Sequence, residues 1–273
     1  MDPRYFVIGN PVSHSLSPLI HTMALRELGL PGTYEARQVT EEELAGFFGE
    51  FRKAPFAGCN ITLPLKVAAR AFVDRETERA QRVGAINTVY REGDRLVGEN
   101  TDVPGFTAPL RGRKIERALV LGGGGVARAA LAGLAELGAK CVELANRTEE
   151  KAQALVDAFR DEAGFSVELR PWDRRHEGEY DLVVNATSLG MKGPLEDRTP
   201  FERFSGRGLA YDIVYTPEET RFLREARAAG WEAVNGVPMF VGQAAESFRL
   251  WTGREMPQDK AMAAVREALA RRG

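Results

Sequence analysis

Short apolar runs alternate with segments of helical period along nearly the whole chain, a rhythm that predicts an α/β protein with parallel sheets. "RYFVIG" (residues 4–9) reads as a first strand. "SPLIHTMALRELG" (17–29) reads as a helix with Ser17 at its N-cap, Pro18 at the first helical position and Gly29 closing it. "TYEARQV" (33–39) is a second strand, and "TEEELAGFFGEF" (40–51) a helix opened by a Thr40/Glu43 capping box, with Leu44, Phe47, Phe48 and Phe51 on its apolar face. "FAGCNIT" (56–62) is a third strand, which places Lys66 in the first turn of a following helix. "AINTVYREGDRLVGENT" (85–101) predicts a hairpin around Gly93.

After "NTDVPGF" the rhythm changes. "RALVLGGGGVARAALAGLAELGAKCVELANRT" (117–148) is strand, Gly-rich turn, helix, strand: a βαβ unit. Further strands are expected at "SVEL", "DLVVNAT", "GLAYDIV" and "EAV", and two helices without a strand from about Gly236. The pattern predicts two domains, 1–102 and 103–236, with the C-terminal helices 237–273 completing the first.

Within the βαβ unit, Gly122, Gly124 and Ala127 give G-x-G-x-x-A between a strand and a helix, where glycine admits a close pyrophosphate and the helix N-terminus supplies free N–H groups. A site for NAD usually carries Asp or Glu at the end of the second strand, to hold the ribose 2′-hydroxyl. Here that strand ends in Asn146 and Arg147; a guanidinium can fork onto a 2′-phosphate that a carboxylate would repel, so NADP is the expected cofactor. Thr148 is expected to cap the next helix.

Composition narrows the class. The 273 residues carry 37 basic and 39 acidic side chains, net charge −2, which argues against a nucleic-acid or membrane-surface partner. No apolar run approaches the roughly 20 residues of a membrane span, and "MDPRYFVIGN" lacks the pattern of a secretory signal. Two cysteines without paired spacing fit a reduced, cytoplasmic setting, and three histidines without ligand spacing predict no metal.

The remaining chemistry falls in the first domain. Ser15 and Ser17 offer two hydroxyls suited to a substrate carboxylate, or serve only as turn and cap residues. No G-x-S-x-G elbow accompanies them, which excludes a serine hydrolase of that kind. A helix N-terminus beside Lys66 would lower its proton affinity and a pairing with Asp102 would raise it again; such a pair can move a proton on and off a hydroxyl. On spacing alone a solvated surface lysine is the simpler reading.

Taken together, "HSLSP", "NITLPLK", "GAINTV", "GENTDVPG", "LGGGGVARA", "NRT", "NATSLGM", "DIVYTPEET" and "GQAAESFRLWTG" resemble the shikimate dehydrogenase family, in order and spacing, over nearly the whole chain. The resemblance implies a substrate domain and a Rossmann-type domain. It also implies NADPH-dependent reduction of 3-dehydroshikimate to shikimate in aromatic amino-acid biosynthesis, by a monomer or homodimer. By the same resemblance Lys66 and Asp102 are the catalytic pair, with Lys66 the proton acceptor. Ser15 and Ser17 hold the substrate carboxylate with Tyr215 nearby, and Thr62, Asn87 and Gln243 hold ring hydroxyls. Gly122, Gly123, Gly124, Gly125 and Val126 form the phosphate loop, Asn146, Arg147, Thr148 and Lys151 the adenosine-phosphate loop, Ile213 and Gly236 line the nicotinamide, and Glu78 is a further cofactor contact. A quinate/shikimate dehydrogenase using NAD(P), often NAD, and a non-catalytic shikimate-binding module are the alternatives. The chain departs from the family pattern at Thr22, Gly123 and Phe240, none of them a proposed catalytic group. Asn185 and Met191 are expected to be structural or cofactor-side, and Trp231 and Trp251 to be packing residues.

Overall fold

A computed structural model describes residues 2–53, 55–160, 164–190, 199, 201–205 and 207–271; Met191 lies outside them. The chain divides into two compact units, one of residues up to Gly105 with Val241–Ala268, the other of Phe106–Phe240 with the residues from Leu269. The chain therefore crosses at Gly105/Phe106, Phe240/Val241 and Ala268/Leu269, where the sequence pattern predicts bounds at 102/103 and 236/237.

The first unit contains β1 (Arg4–Gly9), α1 (Ser17–Glu27), β2 (Thr33–Gln38), α2 (Leu44–Lys53), β3 (Phe56–Ile61), β4 (Arg75–Glu76), α3 (Glu78–Val83), β5 (Thr88–Glu92), β6 (Arg95–Glu99) and the start of α4 (Asp102–Thr107). Its sheet has the order β2-β1-β3-β5-β6-β4. β1 pairs in parallel with β2 and β3, whereas β5 runs antiparallel to both β3 and β6, so this sheet is mixed rather than parallel throughout. The reason is local: a tight turn with Gly93 at φ 61° joins β5 directly to β6, and a tight turn can only return the chain antiparallel.

Half of the expected capping box forms, the Thr40 N–H donating to Glu43 Oε2 at 2.8 Å, while the Glu43 N–H meets the Thr40 carbonyl and turn residues 41–43 precede the first residue of α2. The helix buries Leu44, Phe47, Phe48 and Phe51 against Phe6 and Phe56 of the sheet, each such side chain contributing about 1.5–3 kcal/mol. Tight Gly-mediated packing also attaches the C-terminal segment. A Cβ on Gly58 would fall 2.1 Å from the Trp251 indole, which donates its N–H to the Val89 carbonyl at 3.0 Å. Trp251 is thus a packing residue that fills the space glycine leaves in β3.

The second unit contains β7 (Arg117–Leu121), α5 (Gly125–Glu136), β8 (Cys141–Ala145), α6 (Glu149–Ala158), β9 (Ser166–Leu169), β10 (Leu182–Asn185), β11 (Leu209–Asp212), α7 (Arg221–Ala228) and β12 (Glu232–Val234). Two helices follow, α8 (Val237–Thr252) and α9 (Gln258–Ala270). The strand order is β12-β11-β10-β7-β8-β9, and every pair is parallel. The order reverses between β7 and β10, so the loops at their C-terminal ends diverge and leave the crevice where doubly wound sheets bind ligands. Trp231 packs in the core of this unit with Phe201 and Phe204.

Candidate active site

In the first unit, Lys66 does not occupy a helix. Residues 63–67 form turns after β3, and a short 3-10 helix begins only at Ala68. Leu65 is fully buried and the Lys66 carbonyl accepts the Ile86 N–H at 2.9 Å, which anchors the lysine backbone from both sides. The charge acting on Lys66 is therefore not a helix terminus but Asp102, whose Oδ2 accepts from Lys66 Nζ at 2.6 Å. The Asn87 amide donates to the other oxygen of Asp102 at 2.8 Å. Lys66, Asn87 and Asp102 are thus brought together, although 36 residues separate the lysine from the aspartate.

Thr62 is held at the end of β1 by its N–H bond to the Ile8 carbonyl, 2.8 Å, and its methyl stands 2.4 Å from where a Cβ of Gly9 would be. Ser17 is not an N-cap. α1 begins at Ser17 itself, after a Leu16 without a side-chain cap bond, and the Ser17 N–H donates to Ser15 Oγ at 3.2 Å. Gln243 is half-buried on α8, and its carbonyl accepts from Ser247. Glu78 is an exposed residue in the first turn of α3, where a negative charge suits the helix N-terminus. His21 is buried, stacks on Tyr34 with ring planes 1° apart, and neither ring nitrogen has a partner; burial holds its imidazole down at about 3.

In the second unit, Gly122 lies at φ 120°, and a Cβ there would meet the Ala186 carbonyl at 2.7 Å; only glycine joins β7 to the loop after β10 this closely. Gly124 and Gly125 behave differently. A Cβ on either would meet nothing within 4 Å, so their open side faces a space large enough for a ligand to approach the backbone. Gly124 is the N-cap of α5, whose first N–H groups have no side-chain cap. Gly123 packs against Asn146 and Lys151, which draws the loop after β8 onto the Gly-rich turn. Asn146 donates to the Thr148 carbonyl at 2.7 Å; Thr148 is the N-cap of α6, but its side chain makes no cap bond. Arg147 and Lys151 are exposed. The carboxylate that β8 does carry, Glu143, is engaged within the sheet by Arg117, Arg170 and Tyr180, and does not stand at the strand end. The donor set fits a dinucleotide with an extra phosphate.

The nicotinamide candidates Ile213 and Gly236 touch. A Cβ on Gly236 would fall 2.0 Å from the Ile213 carbonyl oxygen. Tyr215 stacks on Phe240 at 5.0 Å, so the aromatic departure at 240 has a partner within its own unit. Asn185 is structural: its amide donates to Asp212 at 2.9 Å, and Asp212 also accepts from Thr220 and the Val214 N–H. Burial pushes the Asp212 carboxyl up to about 6. Tyr34, Asn60, Thr88, Thr101 and Ser247 join the site's hydrogen bonding unexpectedly: all but Tyr34 lie inside the quoted motifs, but none of them carries an expected role.

Among the described residues no His/Cys/Asp/Glu group is arranged to hold a metal, and no helix is long and apolar enough to cross a membrane.

A parallel sheet with a Gly-rich loop at its switch point, in one chain with a unit that presents a Lys–Asp pair, defines a two-domain nicotinamide-dependent dehydrogenase. Residues 7–89 match the family described as shikimate dehydrogenase substrate binding domain, 109–203 shikimate / quinate 5-dehydrogenase, and 236–266 shikimate 5′-dehydrogenase C-terminal domain. The NADP(+) shikimate dehydrogenase of Pelobacter propionicus is 44% identical over 268 residues, 96% of this chain and 95% of that one. One from Thermus thermophilus is 46% identical over 253 residues, 92% of each. A crystal structure of a Thermus thermophilus shikimate 5-dehydrogenase, in complex with NADP(H) and shikimate, superposes with a TM-score of 0.87 at 44% identity, over 97% of this chain and 99% of that one. The chain belongs to the shikimate dehydrogenase family.

Proposed function

We propose that the chain catalyses reversible hydride transfer between NADP(H) and the pair shikimate/3-dehydroshikimate. The observation that carries the mechanism is the Lys66–Asp102 pair at 2.6 Å, with Asn87 on the second carboxylate oxygen. Bound nicotinamide supplies or takes up the hydride. Lys66 takes the alcohol proton during oxidation and returns it during reduction, while Asp102 holds the ammonium in place. Ser15 and Ser17 bind the substrate carboxylate with Tyr215, and Thr62, Asn87 and Gln243 bind the ring hydroxyls. Gly122 to Val126 would hold the pyrophosphate, Asn146, Arg147, Thr148 and Lys151 the adenosine phosphate, and Ile213 and Gly236 the nicotinamide. The substrate assignment draws on what the relatives are named for and what the Thermus structure contains.

The protein acts on a small molecule, as a monomer or homodimer without nucleic acid. Its two free cysteines suit the reducing cytoplasm. The match of residues 109–203 to a family that includes quinate enzymes keeps quinate as a second substrate to test. Absorbance of the reduced nicotinamide is followed with shikimate or quinate and NADP or NAD. Fast NADP reduction with shikimate alone is expected; turnover of quinate with NAD would replace this reading by the catabolic one.

A further inference from the structure

One line of hydrogen bonds runs through the interior of the first unit and ends on Asp102. It starts at Tyr34, whose phenol donates to Asn60 Oδ1 at 2.7 Å. That bond orients the Asn60 amide, so its Nδ2 faces Thr88 Oγ1 at 3.0 Å and Ser247 Oγ at 2.9 Å. The single proton of Ser247 goes to the Gln243 carbonyl at 3.0 Å, so its two lone pairs accept from Asn60 and from one threonine hydroxyl. Thr88 and Thr101 place their hydroxyls 2.8 and 3.0 Å from Ser247 Oγ. Both also lie near Asn87 Oδ1, at 3.2 and 3.1 Å; each hydroxyl has one proton, so with Thr101 donating to Ser247 it is Thr88 that donates to Asn87 Oδ1, where the Thr101 N–H also donates at 2.7 Å. With Oδ1 taken by donors, Asn87 has only its Nδ2 to offer Asp102. Tyr34, Asn60, Thr88, Asn87, Thr101, Asp102 and Ser247 are all buried, so no solvent is at hand to replace a missing bond.

We propose that Tyr34, Thr88 and Ser247 are positioning residues for the Lys66–Asp102 pair: their hydroxyls fix the Asn60 and Asn87 amides, and through them the Asp102 carboxylate. This rests on the catalytic reading of Lys66 and Asp102. Burial alone would make the cluster a folding device; its polarity makes it more, because the Asn60 and Asn87 amides each have one orientation that satisfies every neighbour, and that orientation puts a donor on Asp102.

The test compares Thr88→Val, which keeps the volume and loses the hydroxyl, with Thr88→Ser, which loses a methyl and keeps the hydroxyl. With NADP and shikimate, Thr88→Val is expected to lower kcat about ten- to hundredfold, as a misplaced catalytic group does, with the KM for NADP unchanged; Thr88→Ser restores kcat. A kcat that follows the melting temperature across the variants, instead of the hydroxyl, would overturn the proposal. The Asn87 side-chain amide, observed by NMR, tests it without any substrate: slow solvent exchange in the wild type and Thr88→Ser, fast in Thr88→Val. Equal exchange in all three refutes the positioning role, whereas a wild type inactive on shikimate refutes the substrate reading alone. Should Thr88→Val fail to fold, Tyr34→Phe makes the same comparison from the far end of the line, against wild type.

Discussion

Lys66 Nζ and Asp102 Oδ2 stand 2.6 Å apart, with 14% and 9% of their side chains exposed. At that depth neither charge is fully served by water, and each depends on the other. Replacing Lys66 by Ala removes the proton acceptor and leaves the Asp102 charge with Asn87 alone. The expected result is a fall in kcat of about 10²–10⁴-fold with the Kd for NADPH unchanged, read by steady-state kinetics and fluorescence titration. Unaltered turnover would reject the assignment.

Two glycines of one loop make opposite predictions. Gly122 is required by the fold: its φ of 120° and the Ala186 carbonyl 2.7 Å from its missing Cβ predict that Gly122→Ala lowers stability by about 1–3 kcal/mol. Gly124 has an extended backbone and open space, so Gly124→Ala leaves the melting temperature within about 2 °C. NADPH affinity should nevertheless fall by about tenfold or more, since the new methyl occupies the space through which the pyrophosphate approaches. A Gly124→Ala protein that binds NADPH normally would mean the cradle lies elsewhere.

Arg147 decides between cofactors. Charge-assisted hydrogen bonds contribute about 1.5–3 kcal/mol, so Arg147→Ala is expected to raise the KM for NADPH about ten- to hundredfold and to leave NADH untouched. Equal losses with both cofactors would place Arg147 on the shared part of the dinucleotide or outside the site.

His21 predicts an acid limb. Burial holds its imidazole at about 3, well below the usual 6.5, so the unfolded chain takes up a proton that the folded one refuses. The contribution is complete above pH 6.5 and is lost as pH falls toward 3, by about 1.4 kcal/mol per pH unit within that window. Asp212 acts with the opposite sign. Its carboxyl is raised from 3.8 to about 6, so folding is favoured below the lower value and loses that advantage as pH rises to the higher. Urea unfolding at about pH 7 and about pH 5 is expected to show His21→Phe losing about 2 kcal/mol less than the wild type over that interval. Identical pH dependence would mean the buried ring is protonated or absent from the balance.

What the chain reveals about itself depends on range. Local devices are legible: the Thr40–Glu43 contact, the apolar face of α2, the turn at Gly93 and the Gly-rich turn after β7 are each written within a few residues. Lys66 is not, because a strand followed by a proline and an apolar stretch reads as a helix start, whereas a turn intervenes before the 3-10 helix at Ala68. Ser17 misleads for a related reason: its position before Pro18 matches a cap, but the helix already includes it, and Leu16 stands at the cap. The convergence of Asn60 with Ser247 spans 187 residues, and no periodicity encodes which polar residues meet inside a core. The roles of Lys66 and Asp102 come from the family resemblance, since spacing alone does not pair them.

Trp251 in the gap over Gly58, and Ser247 amid Asn60, Thr88 and Thr101, are both delivered by α8, near the end of the chain. A ribosome makes the N-terminal sheet first, yet that sheet stays hollow at Gly58 and short of a hydrogen-bond partner at Asn60 until α8 has emerged. The parallel sheet, whose strands all lie between Arg117 and Val234, has no such wait. The sheet synthesised first is therefore closed after the parallel one, and a message cut short before α8 yields a first unit with its interior open.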